Sequence, residues 1–313
     1  MRAYHTPVML AECVEYLRPR PGGVYVDATL GGGGHALGLL RKQGGIRVYG
    51  FDQDPEALAE ASQKLAEYGD QVELIGTNFS RLRTELALRK QKSIDGILFD
   101  LGVSSHQLDE DARGFSFDQD APLDMRMDRG QGHTAAEAVN TLSQAELRKI
   151  FREYGEELNA GRIAARIVRE RADKAFETTA DLARVIEAVV GKGSRESLKS
   201  KARIFQSLRI HVNRELEVLA PALRDAINLL SAGGRIVVMS YHSLEDRIVK
   251  TVFKQAADGC VCPPGAMHCV CGRHKQLALL TKKPQNASAA EVSDNVRSRA
   301  AKLRAAEKTM GER

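Results

Sequence analysis

The stretch Val24-Tyr25-Val26-Asp27-Ala28-Thr29-Leu30-Gly31-Gly32-Gly33-Gly34-His35 decides how the rest of the chain is read. A short apolar run ends on a carboxylate, a glycine cluster follows, and helix-compatible residues continue to Gln43. Glycines let the backbone enter the left-handed region and let a ligand approach the main chain closely, so strand, turn and helix in this order suit a nucleoside-binding unit. Ile46–Phe51 reads as the next strand and ends at Asp52, where an acid can accept hydrogen bonds from ribose hydroxyls. Pro55 sits where a first helical turn tolerates it, with Leu58, Ala61 and Leu65 at helical spacing behind it. Val72–Ile75 is a third strand, Leu82–Leu88 a third helix, and Ile94–Asp100 a fourth strand that again ends on Asp. Strands alternating with helices of this length predict right-handed βαβ units and an α/β fold with a mostly parallel sheet.

The alternation then stops. Residues 105–133 are rich in Asp, Gly and Met without a period and read as a long functional loop. Thr134 to about Arg214 is helical in pattern, with Leu147, Ile150, Phe151, Ile163 and Ile167 at i, i+3 or i, i+4 spacing. A helix over roughly 215–231 and a Gly233-Gly234 stop introduce a fifth strand at Arg235–Tyr241, and Lys302–Ala305 is a candidate last strand. The expected layout is a discontinuous sheet domain, 1–106 with 215–313, carrying an inserted all-helical domain at 107–214.

Composition narrows the class. At 313 residues, with 43% hydrophobic and 28% charged residues, the chain is neither disordered nor collagen-like. No apolar run approaches the ~20 residues of a membrane span, no signal peptide is evident, and five cysteines argue against a secreted disulfide scaffold. A cytoplasmic protein with no membrane partner is expected. The net charge of +5 hides an uneven distribution: −6 over residues 1–140, +5 over 141–215 and +6 over 270–313. Residues 192–214 alone hold Lys192, Arg195, Lys199, Lys201, Arg203, Arg209 and Arg214 against Glu196, a strip suited to a polyanion or to plain solvation.

The glycines include Gly31-x-Gly33-x-x-Ala36, compatible with a nicotinamide cofactor, but Asp100-Leu101-Gly102-Val103-Ser104-Ser105 at the end of the fourth strand favours an adenosyl cofactor. Together with Tyr4-His5, Gly50-Phe51-Asp52-Gln53-Asp54-Pro55, Arg113-Gly114-Phe115-Ser116-Phe117, Pro122-Leu123-Asp124-Met125-Arg126-Met127-Asp128, Phe205–Leu216 and Ser240-Tyr241-His242-Ser243-Leu244-Glu245-Asp246-Arg247, these segments closely resemble one family. It is the bacterial S-adenosylmethionine-dependent 16S ribosomal RNA (cytosine-N4) methyltransferases, and the likeness covers nearly the whole chain. It implies a Rossmann-like methyltransferase fold and methylation of a cytidine in the P-site region, with 16S RNA in the small ribosomal subunit as partner. By the same resemblance Gly33, Gly34 and His35 contact the cofactor at the turn, Asp52 holds its ribose, Phe79 lies at the adenine, and Asp100 and Gln107 complete the pocket. The chain departs from the family pattern in its four consecutive glycines and in Tyr241, where Phe is usual.

Transfer to an exocyclic amine calls for in-line positioning and an acceptor for an N4 hydrogen. The candidates are the Leu101 and Gly102 carbonyls, Ser104, Asp124 and His242, although Asp124 is also placed to order its loop through Arg126. The target base must leave its stack, so Arg113, Phe115 and Arg126 are candidate base contacts, and Lys199, Lys201, Arg203 and Arg209 candidate phosphate contacts. Cys260, Cys262, Cys269 and Cys271 offer four sulfurs for a structural Zn²⁺, but their C-x-C spacing is tighter than usual and free or redox-active thiols remain the alternative. Either a monomer or a homodimer fits the sequence.

Overall fold

In the computed structural model, residues 7–102, 113–130, 132–258, 262, 271 and 274–310 are described. The chain divides into two compact units, residues 1–102 with 216–313, and residues 103–215.

The first unit is built on one sheet. Its strands are β1 (Val24–Asp27), β2 (Arg47–Asp52), β3 (Val72–Gly76), β4 (Ile94–Asp100), β5 (Leu230–Ser240), β6 (Leu277–Leu279), β7 (Gln285–Asn286) and β8 (Lys302–Lys308). They lie in the order β3-β2-β1-β4-β5-β8-β6, with β7 paired to β8. Strands β1 to β5 are mutually parallel, while β8 runs antiparallel to β5. The helices of this unit are α1 (Leu10–Leu17), α2 (Gly34–Lys42), α3 (Pro55–Lys64) and α4 (Leu82–Leu88) in its first segment.

Side chains alternate across the strands, so each face has its own apolar layer. Val26, Phe51, Ile97, Phe99, Ile236 and Val238 pack on one side, and Tyr25, Val48, Leu98, Val237 and Met239 on the other. Strand order reverses at β1, whose neighbours are β2 and β4. A doubly wound sheet opens a crevice at such a switch point, beyond the carboxyl ends of the strands, and Asp27, Asp52 and Asp100 all end strands there.

Gly233-Gly234 does not stop a helix ahead of β5; the strand begins at Leu230 and runs through it. The register against β4 shifts between Ile94 and Gly96, and Gly233 takes φ +75. The pair therefore forms a bulge, a backbone feature with the same glycine signature as a helix stop.

The second unit is helical: α5 (Ala135–Thr141), α6 (Gln144–Glu153), α7 (Ala160–Glu170), α8 (Thr179–Val190) and α9 (Arg195–Asn213). Thr134 with Glu137, Ser143 with Glu146 and Thr178 with Asp181 form capping boxes, each able to contribute about 1 kcal/mol to its helix start. Their inward faces place Leu147, Phe151, Ile163, Ile167, Leu182, Ile186, Phe205 and Leu208 in one core. Back in the sheet unit, α10 (Glu215–Leu229) leads into β5, α11 (Ser243–Asp258) follows it, and the short α12 (Ala289–Asp294) precedes β8. Among the described residues no helix is long and apolar enough to cross a membrane.

Candidate active site

The glycine loop turns through two left-handed residues, Gly31 at φ +49 and Gly33 at φ +77, and delivers the start of α2. Asp52 holds this turn to the end of β2: Oδ2 accepts from the Gly31 N–H at 2.8 Å and Oδ1 from the Asp54 N–H at 2.9 Å. A carboxylate has room for further donors beyond these two, so ribose hydroxyls can still be accepted. Phe79 stands edge-on to Phe99, with ring centroids 5.5 Å apart, and is only partly buried at the carboxyl end of β3.

Asp100, at the end of β4, is held on several sides. Its N–H donates to Thr29 Oγ1 at 2.6 Å, and the Tyr241 hydroxyl donates to its Oδ1 at 2.7 Å. Its Oδ2 lies 3.7 Å from His35 Nδ1. His35 is itself buried, with Nε2 3.0 Å from the Val8 carbonyl. A carbonyl only accepts, so that partner assigns the hydrogen to Nε2 and leaves Nδ1 of the neutral ring as an acceptor. Asp27 is fully buried, and its Oδ2 has no hydrogen-bond partner. Burial pushes the Asp27 and Asp52 carboxyls up to about 6 and Asp100 up to about 7, and it lowers His35.

Asp100 Oδ2 and His35 Nδ1 thus face each other as acceptors, and Asp27 Oδ2, at the end of the neighbouring strand, is a buried acceptor without a donor. Such a set fits an ammonium group, which brings three N–H donors and a positive charge. The amino-acid end of S-adenosylmethionine carries that group, and Asp52 keeps acceptor capacity for hydroxyl donors. These acceptors suit an adenosyl amino acid better than a pyrophosphate, which would meet carboxylates.

The sequence profile of the MraW methylase family matches residues 2–309. The chain belongs to that family. Among its relatives, the ribosomal RNA small subunit methyltransferase H of Geotalea uraniireducens is 52% identical over 308 residues, covering 97% of this chain and 98% of the relative. The protein of the same name from Heliobacterium modesticaldum is 49% identical over 308 residues, with the same coverage of both chains. A solved rRNA methylase from Streptococcus thermophilus aligns with 96% of this chain and 94% of its own at 14% identity and a TM-score of 0.42.

Several expected positions of this methylase are used differently from the sequence reading. Arg113 is buried and its Nη2 donates to the carbonyls of Arg126 and Met127, while Phe115 lies in the helical unit's core. Neither presents a surface to a base. Asp124 takes the loop-ordering alternative: Oδ1 accepts from Arg126 Nε at 2.8 Å and Oδ2 from Nη2 at 3.0 Å. That pairing holds the Asp124 carboxyl below its usual range despite burial. His242 sits two residues beyond β5 with both ring nitrogens buried and without a hydrogen-bond partner; its Nε2 is 3.2 Å from Glu245 Oε1 but not aligned for a bond.

The basic strip also changes on folding. Lys201 pairs with Glu187 at 2.9 Å, Arg203 with Glu196 at 3.2 Å and Glu157 at 3.6 Å, and Arg209 with Glu215 at 2.8 Å. Three of these glutamates lie outside residues 192–214, so a count along the strip does not see them. Lys192, Arg195 and Lys199 at the start of α9 stay exposed, Lys199 with only a 4.0 Å approach to Glu196. Ser104, Gln107, Cys260 and Cys269 lie outside the described residues.

The raised carboxyls give a sign for pH. Between about 4 and 7 the folded apo protein holds protons on Asp27, Asp52 and Asp100 that the unfolded chain has released, so these groups destabilise the fold as pH rises through that window. A cationic ligand needs the carboxylates and drives those protons off. Calorimetry at pH 6.5 in buffers of differing ionisation heat should therefore show proton release when S-adenosylhomocysteine binds, and a buffer-independent heat would remove its ammonium from this cluster.

Proposed function

We propose that this methylase transfers a methyl group from S-adenosylmethionine to the exocyclic N4 of a cytidine in the P-site region of 16S RNA, acting on the small ribosomal subunit in the cytoplasm. The observation that carries the reading is the pair of strand-end acids in a MraW-family chain: Asp100 with Oδ2 facing His35 Nδ1 at the end of β4, and Asp27 with a buried, unpartnered Oδ2 at the end of β1. Its relatives' naming as ribosomal RNA small subunit methyltransferases supports the substrate class.

The cofactor supplies an electrophilic methyl group on a sulfonium. Asp27, Asp100 and His35 Nδ1 would hold its amino group, Asp52 its ribose hydroxyls, and Phe79 one face of its adenine. The remaining requirement is a base presented in line, which makes orientation the main source of rate. The N4 lone pair is delocalised into the ring, and an acceptor for an N4 hydrogen favours attack. Among the described residues His242 suits that role, since its buried ring nitrogens have no hydrogen-bond partner. Ser104 and the Leu101 and Gly102 carbonyls stay candidates on sequence grounds.

The deciding experiment is methyl transfer to small subunits lacking the modification, followed by nucleoside analysis. N4-methylcytidine is expected; label on ribose or on C5 would refute the assignment. For RNA contact the exposed head of α9 carries the proposal. Replacing Lys192, Arg195 and Lys199 together with Ala should reduce the steepness of log affinity against log salt by about 2. Lys201→Ala, already neutralised by Glu187, should leave that slope unchanged.

The cysteines Cys260, Cys262, Cys269 and Cys271 are proposed as ligands of a structural Zn²⁺, on the strength of four thiols within twelve residues. Metal analysis of protein purified without added zinc tests it, and sub-stoichiometric zinc ends it.

A further inference from the structure

Tyr241 belongs to no strand or helix, yet it is fixed more firmly than a connecting residue needs to be. Its N–H donates to Glu245 Oε2 at 2.8 Å, and its ring lies against Gly102, where an added Cβ would meet Cδ2 at 3.3 Å. From there its hydroxyl reaches 2.7 Å to Asp100 Oδ1, between residues 141 positions apart. The other carboxylate oxygen is left facing His35. We propose that Tyr241 is a positioning residue for cofactor binding: by occupying Oδ1 of Asp100 it keeps Oδ2 turned toward the amino-acid end of the cofactor site. The inference rests on reading Asp100 as a ligand of the cofactor's amino group.

The surroundings make the hydroxyl matter. Asp100 faces Asp27 and His35 from the β1–α2 side, Cys13 from α1, and Glu245 from α11. Of these, only His35 could carry positive charge, and burial lowers its basicity. Burial raises the Asp100 carboxyl, the Tyr241 hydrogen bond pulls it down, and Glu245 adds to the rise. Burial and the neighbouring carboxylate together push the Tyr241 hydroxyl well above its usual range, so it stays a donor throughout the working pH range. Without that donor, Asp100 would hold its proton to higher pH and would meet an ammonium as a neutral acid.

The test compares wild type with Tyr241→Phe, which keeps the ring, by titration calorimetry with S-adenosylhomocysteine from pH 6 to 8. The ratio of the two affinities is the readout, because the ligand's own amino titration cancels in it. The variant should bind about tenfold more weakly at pH 6 and about twofold at pH 8, the ratio that a shift of roughly one unit in the Asp100 titration produces. 5′-Methylthioadenosine, which has no amino-acid end, should bind both proteins equally at each pH. A pH-independent ratio, or an equal loss with methylthioadenosine, would reduce Tyr241 to a packing residue and overturn the proposal. Failure of wild type to bind S-adenosylhomocysteine at any pH would instead overturn the cofactor reading beneath it.

Discussion

Asp100→Asn is expected to weaken S-adenosylhomocysteine binding at pH 8 by about 100-fold, while the protein stays folded. The carboxamide has the same shape, and its oxygen can still accept the Tyr241 hydroxyl, so the packing around β4 has no reason to fail. What it lacks is charge. A charge-assisted bond to a partly buried carboxylate is replaced by a neutral one, and the NH₂ group now points a donor toward the same place as the ligand's ammonium. Losing one partner of a desolvated charged pair costs about 2–5 kcal/mol, and 100-fold, about 2.7 kcal/mol, falls toward the lower end as suits a partly exposed carboxylate. Methylthioadenosine affinity should change by less than about threefold, since adenine and ribose do not depend on that charge. Equal losses for both ligands would mean that Asp100 supports the fold of the site and does not bind the amino group.

Gly114→Ala is expected to cost about 3 kcal/mol or more of stability, the largest effect foreseen for a single methyl group in this chain. Gly114 lies at φ +72, and a Cβ there would come within 2.2 Å of the Pro122 carbonyl oxygen and 3.0 Å of the Asp124 N–H. Both are backbone atoms of a loop that is pinned elsewhere. Met125 N donates to the Arg113 carbonyl, Asn213 Nδ2 donates to the Met125 carbonyl, and Asn213 Oδ1 accepts from Met127 N. Met125 is itself buried at φ +62, so the loop already holds one strained residue and cannot easily shift. Gly193→Ala is the control: φ is +70 but nothing lies within 4 Å of the added Cβ. It should cost only the backbone strain, about 1 kcal/mol. Thermal denaturation of the two variants measures the difference, and equal midpoints would show that the 113–128 loop yields to the methyl group.

The parts of the site that were legible in the sequence are those whose signal is local. Asp27, Gly31–Gly34, Asp52 and Asp100 stand at strand ends, and a strand followed by a turn and a helix is written within a dozen residues. The inserted helices were visible for the same reason, because the apolar period changes where the strands stop. β6 and β7, with three and two residues, are too short to carry a period, and both pair with β8 from a distance. The glycines of the β5 bulge were legible as a break but not as which kind of break.

Other features depend on partners that no spacing rule connects. Tyr241 reads as a conservative exchange for Phe until its hydroxyl is placed on Asp100. His35 reads as a helix-start residue, and only the Val8 carbonyl decides which ring nitrogen remains an acceptor. Arg113 and Phe115 lie in a polar, glycine-containing stretch that reads as exposed loop, yet burial claims both.

The sequence by itself determined the alternation of β1 to β4 with their helices, the glycine turn, and the acids that end the strands, since each follows from periodicity and backbone chemistry over a few residues. Only the tertiary structure decided that Asp27 is buried with an unpartnered oxygen, that Asp100 faces His35, and which cations of the α9 strip stay exposed to a polyanion. Charge and hydrogen-bond partners act through space, with strength set by distance and desolvation, and residues 141 positions apart can lie 2.7 Å from each other.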